Sequence, residues 1–111
     1  MSLNKPNYDS MSDLELIFAM KDGDRSAFSE VFNRYWKKLY NEAHKRIKRP
    51  EVVDEVIQDV FSELWINRAT VDTQQIYPYL LMKMANTVLY KYNSGGIISN
   101  NDDPKKKRYL N

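Results

Sequence analysis

The sequence predicts an all-α protein, a small helical bundle, on three observations. Val, Leu, Ile, Phe and Tyr recur with a three-four spacing through most of the chain, the period of a helix face. Glycine and proline are scarce, three and four residues, and punctuate the chain between periodic stretches instead of interrupting them. At 111 residues the chain can build one hydrophobic core and not two.

The elements follow in order. Residues 1–11 have no period and read as a disordered lead. Ser12 then opens a capping box with Glu15, and Leu14, Ile17 and Phe18 give the short first helix an apolar face. Gly23 stops it and Asp24 caps the next. The second helix runs from Arg25 to about Lys48, because Phe28, Val31, Phe32, Tyr35, Trp36, Leu39, Tyr40, Ala43 and Ile47 hold the helical spacing unbroken. Pro50 ends that run and starts a third helix, with Glu51, Asp54 and Glu55 near its amino end, where the helix dipole favours acids. Val52, Val53, Val56, Ile57, Val60 and Leu64 form its buried arc. A polar loop, NRATVDTQQ, follows, with Asp72 and Thr73 as caps for a last helix from about Gln75 to Tyr92. Ile76, Tyr77, Leu80, Leu81, Met84 and Val88 form its buried side. Residues 94–111 are aperiodic and basic, a flexible linker or tail.

Charge is segregated along this order. Residues 25–49 carry Arg25, Arg34, Lys37, Lys38, Lys45, Arg46, Lys48 and Arg49 against Glu30 and Glu42. From Glu51 to Trp65 there are only acids: Glu51, Asp54, Glu55, Asp59 and Glu63. That excess exceeds what a salt-bridged helix face carries, and points to a basic partner. Beside the apolar arc of this helix lies a stripe of Asp54, Gln58, Phe61 and Trp65, spaced four, three and four apart. The last helix has an unusual face of its own, with Tyr79, Lys83, Asn86 and Tyr90 at successive turns. Flat rings stack on unpaired bases, amides bond to base edges and lysines attract phosphates.

The order Asp54, Gln58, Phe61, Trp65, preceded by GDRSAFSEVFNRYWKKLY, resembles region two of the extracytoplasmic-function class of bacterial RNA polymerase sigma factors, over roughly Asp13 to Tyr92. The resemblance implies a bundle of the sigma region-two type. It implies that Asp54, Glu55, Gln58 and Asp59 contact a basic coiled coil in the largest subunit of core RNA polymerase, with Phe61 and Trp65 as packing supports. It implies promoter DNA as the second partner, in the form of the non-template strand of the melted minus-ten element. Asn86 falls on the family's asparagine at the pocket for a flipped-out base, and Asn67 to Gln74 corresponds to the loop that closes that pocket. The residues assigned to DNA are Lys37, Lys38, Asn67, Arg68, Thr73, Gln74, Tyr79, Lys83, Asn86, Tyr90 and Lys91. The chain departs from the family's pattern in two places. Met84 and Ala85 precede the asparagine where relatives carry a small residue and often a base, and Asn93 and Ser94 replace a basic pair, for which Lys91 can compensate. In the family a linker leads on to a helix-turn-helix domain, which nothing after Tyr92 resembles, and an anti-sigma protein is a regulating partner.

Other classes fare poorly. There is no cysteine and one histidine, His44, which removes disulfides, thiol catalysis and the usual zinc ligand sets. The acids spread around their helix and no nucleophile accompanies them, so neither a cofactor nor enzymatic activity is expected. No apolar run approaches membrane-spanning length and MSLNKPNYDS lacks the apolar core of a signal peptide, so the expectation is a cytoplasmic monomer without membrane insertion. The alternative function is a helical protein-interaction module that binds a basic partner without DNA.

Overall fold

The computed structural model describes residues 7–93, and among these the protein is all-helical. Four α-helices follow one another: α1 (Asp13–Lys21), α2 (Arg25–Arg46), α3 (Pro50–Ile66) and α4 (Ile76–Asn93). Two short 3-10 turns, Tyr8–Ser10 and Arg68–Thr70, precede α1 and interrupt the loop to α4. The readings of residues 1–6 as a lead and of 94–111 as a tail lie outside the described residues.

Local signals set most boundaries. Ser12 Oγ accepts from the Glu15 amide at 3.1 Å while the Glu15 carboxylate accepts from the Ser12 amide at 2.8 Å, a complete capping box. Gly23 takes φ of 89°, a left-handed conformation that a side chain would strain, and ends the link from α1. Asp24 then accepts from the amides of Ser26 and Ala27 at 2.9 and 3.2 Å. α2 stops two residues earlier than its periodicity predicts. Ile47 is extended and buried in the core, and His44 Nδ1 lies 3.1 Å from its carbonyl oxygen. Arg49 is extended too, as the residue before a proline must be, and Pro50 occupies the first position of α3.

The core forms where α1, α2, α3 and α4 meet. All six residues of the predicted arc of α3 are buried, as are Ile76, Leu80 and Met84 of α4, while Tyr77, Leu81 and Val88 pack around them half-buried. On α2 the buried line is Ala27, Val31, Leu39 and Ala43, and Phe32 and Trp36 lie at its edge in contact with solvent. The face of α1 is corrected. Leu16, Ile17 and Met20 are buried, whereas Leu14 and Phe18 are exposed, because nine residues carry too few apolar positions to fix the phase of so short a helix.

The start of α4 is also corrected. Thr73 Oγ1 accepts from the Gln75 amide at 3.3 Å, but the amide of Ile76 at the first turn donates to Asp13 Oδ2 at 2.8 Å. The other oxygen of that carboxylate accepts from the Tyr35 hydroxyl at 2.6 Å and lies 3.6 Å from the Arg34 guanidinium. One side chain at the start of α1 therefore holds α2 and α4 together.

The lead is shorter than its lack of period predicts. Tyr8 donates from its hydroxyl to Asp24 at 2.6 Å, and Arg34 donates to the carbonyls of Tyr8 and Met11 at 3.2 and 3.1 Å. These bonds, made by residues far along the chain, hold the turn in place without any apolar period.

Candidate functional site

Two aromatic contacts fix how α2 and α3 lie against each other. Phe28 meets Trp65 with ring centroids 5.4 Å apart, and Phe32 meets Phe61 edge to face at 4.9 Å. Moving forward along α2 is thus moving back along α3, and the pair is antiparallel. The predicted stripe on α3 divides accordingly. Phe61 is buried and Trp65 is half-buried under the guanidinium groups of Arg25 and Arg68, 4.8 and 4.0 Å from its ring. Asp54 and Gln58 are exposed.

Glu55 and Asp59 occupy the opposite edge of α3, toward α4. The ammonium of Lys91 bridges them at 3.0 and 3.2 Å, with only 13 % of its side chain exposed. Its hydrogen bond to Glu55, then the one to Asp59, raises the Lys91 pKa above the ordinary lysine value against the cost of partial burial. The four residues assigned to one partner therefore face two ways. Asp54 and Gln58 stand by α2, while Glu55 and Asp59 are tied to the end of α4.

Between α3 and α4 runs an open groove of about 570 Å³. Its α3 wall is Asp59, Ser62, Glu63 and Ile66, and its α4 wall is Lys83, Asn86, Thr87, Tyr90 and Lys91. Thr87 is turned back on the helix, donating to the Lys83 carbonyl at 2.8 Å. Lys83 also lies 5.7 Å from the Tyr79 ring, which is half-buried against the core. Tyr90 is the most open large side chain here, 73 % exposed. Four of the residues assigned to DNA, Lys83, Asn86, Tyr90 and Lys91, are thus brought to one wall, with Tyr79 beside them. Lys83 and Lys91 balance Asp59 and Glu63 among the lining residues, so the groove is close to neutral.

Other assigned residues lie elsewhere. No residue of the loop Asn67 to Gln74 lines the groove, because the Arg68–Thr70 turn packs toward α1 and Trp65. Arg68, half-buried, donates to the Trp65 carbonyl at 2.9 Å and lies on its ring, with its Nε buried and without a hydrogen-bond partner. Thr73 is engaged with the backbone of Gln75, and Asn67 and Gln74 are exposed. Lys38 sits 4.4 Å over the ring of Tyr77 in the first turn of α4, whose hydroxyl donates to the Lys38 carbonyl at 3.4 Å. Lys37, one helical step of about 100° away, is exposed.

Lys45 and Arg46 pair with Glu42 at 3.3 and 3.1 Å, as bases in a last turn do. Sequence reasoning passed over Met82 and Leu89, both exposed on α4, and over the exposure of Phe32 and Trp36. The signal for the first two was present: they fall outside the buried line of Ile76, Leu80 and Met84. Among the described residues no three acids and histidines gather as a metal ion requires, and no helix is long and apolar enough to cross a membrane.

No protein-family model, curated protein or solved structure matches this chain.

Proposed function

We propose that this chain is a sigma domain of the region-two type, which binds core RNA polymerase through the exposed edge of α3 and takes single-stranded promoter DNA on the outer face of α4. The observation that carries the reading is the α4 wall of the groove, where an amide (Asn86), an exposed ring (Tyr90) and a cation (Lys83) stand together. These three groups can bond to a base edge, stack on a base and meet a phosphate. The order of residues along α3 and α4 supports the same reading. The domain performs no bond chemistry; it holds polymerase and an unpaired strand side by side, with α3 shared between them.

Asn86→Ala tests the DNA half. In the presence of core polymerase it reduces discrimination at one base position by about 1 to 3 kcal/mol, read by fluorescence anisotropy on single-stranded oligonucleotides varied one position at a time. Equal loss on every sequence removes the base-reading role.

A second reading, a protein-interaction module without DNA, draws on the acids of the groove. Asp59 and Glu63 face the α4 wall and repel phosphate. A domain that binds polymerase or another basic protein but shows no preference for any oligonucleotide decides for this reading.

A further inference from the structure

Two arginines meet on one ring at the carboxyl end of α3. The guanidinium carbon of Arg25, the first residue of α2, lies 4.8 Å from the centroid of Trp65, and that of Arg68, in the turn after α3, lies 4.0 Å from it. Like charges brought this close repel each other, and the attraction of each for the ring offsets part of that. The other arginines among the described residues all have a carboxylate partner: Arg34 has Glu30 and Asp13, Arg46 has Glu42, and Arg49 has Glu51. Arg25 and Arg68 form no ion pair among the described residues.

The bonding of Arg68 is also incomplete. Its Nη1 donates to the Trp65 carbonyl at 2.9 Å, whereas its Nε is buried and has no hydrogen-bond partner. A buried donor left unpaired costs the desolvation of the group with nothing in return. Nε and Nη2 present two parallel N–H groups along one edge, the fork that a carboxylate or phosphate meets with two oxygens at once. Among the described residues that edge holds no acceptor. The acid next to Arg25 in sequence is occupied elsewhere, since Asp24 accepts from the Tyr8 hydroxyl and from the amides of Ser26 and Ala27. The described fold thus brings two cations and an open fork together and supplies no anion for them.

We infer that Arg25 and Arg68, braced on Trp65, form a binding site for one phosphate group. Arg68, half-buried and tied to the backbone, presents the fixed fork, and Arg25, exposed and long, closes on the anion from solvent. A planar carboxylate meets one fork, whereas the tetrahedral oxygens of a phosphate face two guanidinium groups at once. Two sources share this chemistry: a free phosphate or phosphomonoester, and a phosphodiester of a nucleic-acid strand. The site stands apart from the groove, which none of Arg25, Trp65 and Arg68 lines, and does not depend on the role given to α4. A bound phosphate joins the start of α2 to the turn after α3, and so stabilises the fold that holds it.

The test uses the whole chain, isotope-labelled for magnetic resonance, with sodium phosphate, sodium acetate at equal ionic strength and oligothymidine as probes. Phosphate at millimolar concentration shifts the Arg68 Nε–H and Trp65 indole N–H signals saturably and raises the melting temperature, and acetate does neither. Arg25→Ala, a change to an exposed side chain, weakens the phosphate response about tenfold, with the melting temperature in chloride little changed. Arg68→Lys keeps the charge, loses the fork and weakens the response as well. Oligothymidine that saturates the same two signals at a lower concentration of phosphate groups than inorganic phosphate assigns the site to a nucleic-acid strand. The reverse order assigns it to a free phosphate or phosphomonoester. Acetate that matches phosphate, no saturable shift with either phosphate probe, or an unchanged response in Arg25→Ala overturns the site. So does loss of the response in Lys83→Ala, which moves the phosphate to the groove.

Discussion

The carboxylate of Asp13 accepts the backbone N–H of Ile76 at 2.8 Å, across 63 residues of sequence. It supplies from α1 the cap that the first turn of α4 needs, and through Tyr35 and Arg34 it ties both helices to α2.

Asp13→Ala therefore costs about 1 to 3 kcal/mol, since it uncaps a helix and leaves the half-buried Tyr35 hydroxyl without its acceptor. For a domain of this size each kcal/mol lowers the melting temperature by about 4 to 8 °C. Asp13→Asn falls between, because an amide keeps one acceptor and loses the other. Thermal unfolding followed by circular dichroism reads the order directly.

Acid exposes a second contact. The hydrogen bond from the Tyr8 hydroxyl holds Asp24 below the usual carboxylate range, with the Ala27 and Ser26 amides adding to it and partial desolvation opposing. A carboxylate depressed in the folded state adds stability above its unfolded value of about 3.9, and that stability is lost as pH falls through the lower folded value. Tyr8→Phe is thus less stable than wild type near neutral pH, and the gap closes as pH falls below about 4. Denaturant titrations of the two proteins across that range measure it.

Lys91 masks two acids of α3. Lys91→Gln leaves Glu55 and Asp59 without a cation, so the acidic face becomes more negative by one charge and presents both carboxylates to any basic partner. The expected result is tighter binding of core polymerase at low salt, the gain fading as salt screens it. The fold is retained with a modest loss of stability, because both carboxylates are about half exposed, 53 and 51 %, while the lysine side chain they hold is only 13 % exposed. Anisotropy at two ionic strengths separates this effect from a general loss of fold.

The parts legible in the sequence are those governed by neighbours a few residues apart. The capping box at Ser12, the turn at Gly23, the cap at Asp24 and the start at Pro50 are local, and the arc from Val52 to Leu64 spans enough turns to fix its phase. α1 is too short for that, which is why Leu16 and Met20 went inside in place of Leu14 and Phe18. The bonds of Asp13 to Ile76, Tyr8 to Asp24 and Lys91 to Glu55 join residues whose separation no periodicity records. The candidate surfaces were half legible. Asn86, Lys83 and Tyr90 share a face by spacing alone, but which side of the fold Asn67 to Gln74 closes on depends on how the Arg68 turn packs against Trp65.

The proposed docking of this domain on core RNA polymerase through the exposed edge of α3 is read by co-elution of the two on size exclusion at low salt, with Asp54→Lys as the paired variant. A complex is expected for the wild-type chain, and its loss for Asp54→Lys at an unchanged melting temperature, since the residue is exposed beside the buried arc and not part of it. A wild-type chain that elutes apart from polymerase, or an Asp54→Lys chain that binds as well as wild type, contradicts it.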